Sequence, residues 1–99
     1  MSGRETVNRR IVVEGMVQGV GYRDFTRRAA LKFNVFGWVR NRPDGTVEAF
    51  AWGARSDVEA LIAEMRRGPR GATVSSLRLL EPGEDDSAES ETFVIRSTG

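Results

Sequence analysis

Residues 9–33 read RRIVVEGMVQGVGYRDFTRRAALKF, and three successive patterns within that stretch decide the fold. Arg9 to Glu14 alternates, with Ile11 and Val13 on one face and Val12 on the other, the period of a strand. Gly15 to Gly21 follows as a loop with three glycines. From Tyr22 the apolar residues Tyr22, Phe25, Ala29 and Phe33 recur three or four apart, the stripe of an amphipathic helix.

Working outward, Val35 to Asn41 and Thr46 to Trp52 are two strand-like runs joined by Arg42-Pro43-Asp44-Gly45. Pro presets the φ of a turn and Gly accepts φ > 0, so this is hairpin chemistry. A second helix is marked by Ser56 and Glu59 as a capping box, followed by Val58, Leu61, Ile62 and Met65 at helical spacing. Gly68-Pro69 stops it. Thr73 to Glu81 and Thr92 to Arg96 read as further strands. The order β-α-β-β-α-β with one more strand predicts an α+β, ferredoxin-like split βαβ sandwich, an antiparallel sheet with two helices on one face. Each helix carries a single apolar stripe, as expected of cover on one side. Such a fold hosts many activities and settles none of them.

The 99 residues suffice for one domain, expected over 1–99 with its core at about 9–97 and residues 1–8 as an N-terminal extension. No apolar run approaches the ~18 residues of a membrane span. Met1 to Thr6 has no apolar segment of the kind a secretory signal contains, so a cytoplasmic protein with no membrane association is expected. Met1, and an end soon after the last strand, lead us to expect a free-standing protein, acting as a monomer.

Cysteine and histidine are both absent. That excludes disulfides, thiolate nucleophiles, Ser-His-Asp triads, imidazole bases and His- or Cys-ligated zinc. Catalysis would have to rely on Arg, Lys, carboxylates, amides, hydroxyls and backbone. Net charge is +1, but the acidic residues gather in 84–91, a stretch read as a solvated loop, which leaves the rest of the chain basic. Every basic residue except Lys32 is arginine, suited to bidentate recognition of phosphate or carboxylate. The surplus is weaker than the basic stripe of a nucleic-acid binder, and no nucleic acid is expected as a partner. Phe50 and Trp52 share one strand face and could stack bases, but RNA-binding aromatic signatures are missing and core packing is the simpler role.

The glycine loop before the first helix is one candidate site. A helix N-terminus offers unpaired N–H groups and a partial positive charge, and glycines let successive amides curl into an anion-binding nest. Gly21 stands where Ser, Thr, Asp or Asn would usually cap the helix. A tight turn satisfies the same pattern. Arg23, in the first helical turn, faces the positive end of the helix dipole, which disfavours it unless an anion lies between. Two readings fit: an arginine clamped on an anion, or a solvated one offset by Asp24. Asn41 ends a strand just before the turn, where its side chain could simply bond nearby backbone. Spacing alone does not bring Asn41 to Arg23. Asp24, Glu48 and Glu64 lie on different elements with no spacing that pairs them.

Gly15-Met-Val-Gln-Gly-Val-Gly-Tyr-Arg23 resembles the acylphosphatase signature G-x-V-Q-G-V-x-[FY]-R. Gly37-Trp-Val-Arg-Asn41-Arg-Pro-Asp-Gly45-Thr-Val47 resembles the second signature of that family, G-[FWY]-V-x-N-x-x-D-G-x-V. The likeness extends over roughly residues 9–96. It implies a ferredoxin-like enzyme that cleaves acyl phosphates to carboxylate and orthophosphate without cofactor or metal. It implies that the backbone amides of Gln18, Gly19, Val20, Gly21 and Tyr22, together with the Arg23 guanidinium, bind phosphate. It implies that Asn41 orients the nucleophilic water. Asp24 and Phe25, after the arginine, depart from many relatives.

Two rivals share the scaffold. A non-catalytic anion-binding module would keep the loop and Arg23 but tolerate loss of Asn41. A relative cut from a larger carbamoyl-transfer enzyme would take carbamoyl phosphate.

Overall fold

The computed structural model describes residues 5–83 and 91–99. The acidic loop expected at 84–91 lies, except for Glu91, outside the described residues. The elements are β1 (Thr6–Met16), α1 (Tyr22–Lys32), β2 (Phe36–Asn41), β3 (Val47–Ala54), α2 (Arg55–Arg67), β4 (Thr73–Leu80) and β5 (Phe93–Ile95).

The sheet order is β4-β1-β3-β2-β5. β1 is longer than its own alternation predicts, because neighbours extend it at both ends. β3 pairs with it from Thr6↔Ala54 to Val13↔Val47, and β4 from Arg10↔Leu80 to Met16↔Thr73. Cross-strand hydrogen bonds thus draw polar Thr6 and Asn8 into a strand that apolar periodicity alone would start at Arg9. The four-strand core is antiparallel as expected, but β5 runs parallel to β2, which makes the sheet mixed.

Both helices cover one face. α1 packs on β2 and β5, and α2 on β1, β3 and β4. Odd-numbered strand residues Ile11, Val13, Val39, Val47, Ala49 and Ala51 meet Tyr22 and Ala30 of α1 and Val58, Leu61, Ile62 and Met65 of α2. The buried stripe of α1 is Tyr22, Thr26 and Ala30, rotated from the apolar one read in the sequence. Thr26 is fully buried because its hydroxyl donates to the Tyr22 carbonyl at 2.9 Å, which hides its polarity. Phe25, Ala29 and Phe33 instead line a groove with Glu64 of α2. α2 begins two residues earlier than the capping box predicts. Ala54 is its N-cap and makes no side-chain cap bond, so Ser56 lies inside the helix.

The other face carries even-numbered residues and, among the described residues, no helix. Trp38 stacks on Phe50 at 6.4 Å, Phe36 on Trp52 at 5.3 Å, and the guanidinium groups of Arg40 and Arg96 lie over Trp38. Phe50 is 1 % exposed, so it packs in this layer and offers no ring for stacking.

Candidate active site

From Val17 to Tyr22 the loop alternates. Val17 and Tyr22 are buried and Val20 packs against the core, while Gly19 and Gly21 are exposed. The two glycines have φ of 76° and 78°, the left-handed region that side-chain-bearing residues avoid. That pair of turns lets three apolar anchors point inward within six residues. Gly21 is the N-cap of α1, with no side-chain cap. Among the described residues, no backbone carbonyl accepts a bond from the amides of Gln18 through Arg23. Unpaired donors at the positive end of a helix are what an anion site requires.

Arg23 is the second residue of α1 and is half-buried. Asp24, which could have offset it, pairs with Arg28 one turn on at 3.0 Å. Tyr22 anchors the helix start: its hydroxyl donates to the Met65 carbonyl at 2.7 Å, and burial pushes its pKa well above the usual phenol value.

Asn41 is the last residue of β2. Its carboxamide oxygen Oδ1 is buried and has no hydrogen-bond partner among the described residues. A buried acceptor left without a donor costs about 1–3 kcal/mol, so this atom calls for a partner such as a water. The turn that follows forms as the sequence predicts. The Gly45 amide donates to the Arg42 carbonyl at 3.1 Å, the Arg42 amide to the Thr46 carbonyl at 2.9 Å, and Thr46 donates twice to Asp44 Oδ1. Those bonds hold the Asp44 carboxyl below its ordinary pKa.

Strand alternation sends Arg40 and Arg42 to the face opposite Asn41. There they meet Glu48, which is fully buried. Arg40 Nε donates to Oε1 at 2.8 Å, Arg10 Nε to Oε2 at 2.6 Å and Arg42 to Oε2 at 3.3 Å. Burial opposes the charge on Glu48, but the hydrogen bonds and charges of Arg10 and Arg40 outweigh it and keep the carboxyl below the usual range. Sequence spacing pairs Glu48 with no other carboxylate. The signal was instead arginine at 40 and 42, one strand period apart, with a glutamate on the partner strand.

Arg23 and Asn41 line one cleft of about 180 Å³. Gly19, Gly21 and Tyr22 line it with them, as do three residues not singled out for the site: Val17, Asp24 and Ile95. Ile95 comes from the short β5 strand, whose position beside β2 no local pattern announces. The volume is several times the ~30 Å³ share of one water, room for a small oxyanion and a water beside it. Two residues whose backbone amides are expected at the site send their side chains elsewhere. Val20 packs on the core, and the Gln18 side chain reaches to the turn, donating through Nε2 to the carbonyls of Arg42 and Thr46 at 2.8 Å each.

Comparison with known proteins gives concordant results. A family model described as Acylphosphatase matches residues 9–95. A protein of Rhizobium etli named acylphosphatase is 52 % identical over 68 residues, 69 % of this chain and 72 % of that one. Another acylphosphatase, from Rhodopseudomonas palustris, is 46 % identical over 84 residues, 85 % of this chain and 84 % of its own. Among solved structures, an acylphosphatase from Bacillus subtilis superposes with a TM-score of 0.79 at 31 % identity, covering 93 % of this chain and 99 % of that one.

Proposed function

The chain belongs to the acylphosphatase family, enzymes that hydrolyse the carboxyl–phosphate bond of acyl phosphates, and from that premise we propose how its residues carry the reaction. The amides from Gln18 to Tyr22 and the Arg23 guanidinium bind the phosphoryl group, and the Asn41 carboxamide holds the attacking water behind phosphorus. The single observation that carries this reading is the buried, unpartnered Oδ1 of Asn41 on the cleft that Arg23 also lines.

The chemistry asks for little more. Water oxygen bonds to phosphorus while the bond to the acyl oxygen breaks, releasing carboxylate and orthophosphate. The leaving carboxylate has a conjugate acid of pKa ~4, so it departs at neutral pH without a general acid. A chain with no histidine and no cysteine is then adequate to the task. Charge on the phosphoryl oxygens must be matched, and the water must be in line with the departing oxygen. Preorganised amides and a guanidinium, whose fork of donors fits phosphate oxygens, do the first. Asn41 does the second, with Oδ1 accepting from the water. A phosphoryl oxygen takes a proton from the water, since Asp24, the one carboxylate among the described residues lining the cleft, is paired with Arg28.

The reading is tested with benzoyl phosphate. Arg23→Ala and Asn41→Ala should each lower turnover at least ~10²-fold, the scale of losing a preorganised donor, with the fold intact by circular dichroism. Near-wild-type turnover in either variant refutes that residue's role. Orthophosphate should inhibit competitively and EDTA should leave the rate unchanged. We further propose that the chain is a single-domain cytoplasmic monomer, to be checked by light scattering and cell fractionation.

A further inference from the structure

The Asn41 carboxamide oxygen accepts no hydrogen bond from the described residues, so its aim at an attacking water depends on where the backbone at the end of β2 is placed. Among the described residues, one side chain hydrogen-bonds that backbone to the anion loop. Gln18 Nε2 has two hydrogens, and it donates to two carbonyls, those of Arg42 and Thr46, at 2.8 Å each. These carbonyls form the neck of the β2–β3 turn, where the Arg42 amide also bonds the Thr46 carbonyl. Gln18 is therefore a crosslink between the segment that carries the amides and the residue next to Asn41. On the opposite face, Arg40 and Arg42 are held by Glu48, so the residues on both sides of Asn41 are anchored.

We infer that Gln18 is a positioning residue: its side chain sets the distance between the phosphate-binding loop and Asn41, and so the alignment of water with phosphorus. The inference rests on the roles proposed above for the loop and for Asn41. Misplacement of a reacting group by ~1 Å can cost ~10²-fold in rate, so a crosslink of this kind acts on turnover and not on affinity for phosphate. Both carbonyls keep a backbone donor when Gln18 is replaced, from the Gly45 and Arg42 amides respectively, so the hairpin survives its loss.

Gln18→Met keeps the length of the side chain and removes both donors. Assayed on benzoyl phosphate, it should lower kcat about 10-fold or more, with KM and the orthophosphate inhibition constant within about 2-fold of wild type. In an Asn41→Ala background the same change should lower the residual rate by less than about 2-fold, because the residue it positions is already gone. A raised inhibition constant with kcat intact would overturn the inference, as Gln18 would then merely shape the anion loop. Equal losses in both backgrounds would also overturn it, by showing action independent of Asn41. If Asn41→Ala alone retains wild-type turnover, it is the proposed role of Asn41 that fails. Should Gln18→Met not fold by circular dichroism, the same series is read on Gln18→Asn, whose amide sits one methylene short of the turn.

Discussion

Arg23 at the start of α1 and Asn41 at the end of β2 open onto one cleft, although 17 residues of helix, turn and strand separate them in the chain. The sheet brings them together. β1 delivers the glycine loop at its C-terminal end, β3 lies beside β1, and β2 lies beside β3 with Asn41 opposite Val47. Val47 in turn faces Val13, three residues before the end of β1. Register across two strand pairs thus sets a guanidinium and a carboxamide on a common cavity.

Gly21 should tolerate alanine sterically but not conformationally. Apart from its chain neighbours, no described residue has an atom within 4 Å of an added Cβ, yet φ is +78°. Gly21→Ala should cost about 1–2 kcal/mol in urea unfolding, the penalty of a left-handed residue. If the loop relaxes to relieve that strain, orthophosphate inhibition should weaken in the same variant.

Tyr22 is the chain's single tyrosine, so its ionisation can be followed without interference. Its folded pKa is raised by burial, so the neutral phenol is the favoured form in the native state. The resulting stability is complete below the unfolded value of ~10 and declines as pH rises above it. Absorbance at 295 nm should show no phenolate step near pH 10, and ionisation should coincide with alkaline unfolding. A separate transition near pH 10 in folded protein would contradict the buried bond to Met65. Tyr22→Phe should cost about 1–2 kcal/mol, since it leaves the Met65 carbonyl without that donor.

Much of this was legible in the sequence. The strand, loop and helix of residues 9–33, the Pro-Asp-Gly turn and the Gly68-Pro69 stop are local chemistry, and the structure has all of them. The parts that were not legible arise from pairing between distant segments. The buried stripe of α1 includes Thr26, whose hydroxyl is satisfied inside the helix, so a count of apolar residues points to Phe25 and Phe33 instead. Ile95 reaches the cleft only because β5 adds beside β2, a long-range choice. Gln18 is part of a recognisable motif, but the partners of its side chain, 24 and 28 residues away, are carbonyls that any sequence supplies.

Glu48 should make the protein acid-sensitive. Its folded carboxyl pKa is depressed, so its contribution is present above the unfolded value of ~4.3 and is lost as pH falls through the folded one. Stability measured by urea unfolding should drop below about pH 4, and Glu48→Gln should flatten that slope. At neutral pH Glu48→Gln should cost about 2–3 kcal/mol, because Arg10 and Arg40 lose their charged acceptor. An unchanged acid slope in the variant would show that other carboxylates dominate.

Orthophosphate titrated into 15N-labelled protein, followed by amide spectra, tests the central claim most directly. The largest saturable shifts should fall on the backbone amides of Gly19 to Arg23 and on the side-chain amide of Asn41, and Arg23→Ala should abolish saturation at the same concentrations. Shifts centred elsewhere, or a titration unchanged in Arg23→Ala, would contradict an oxyanion held between this loop and this arginine.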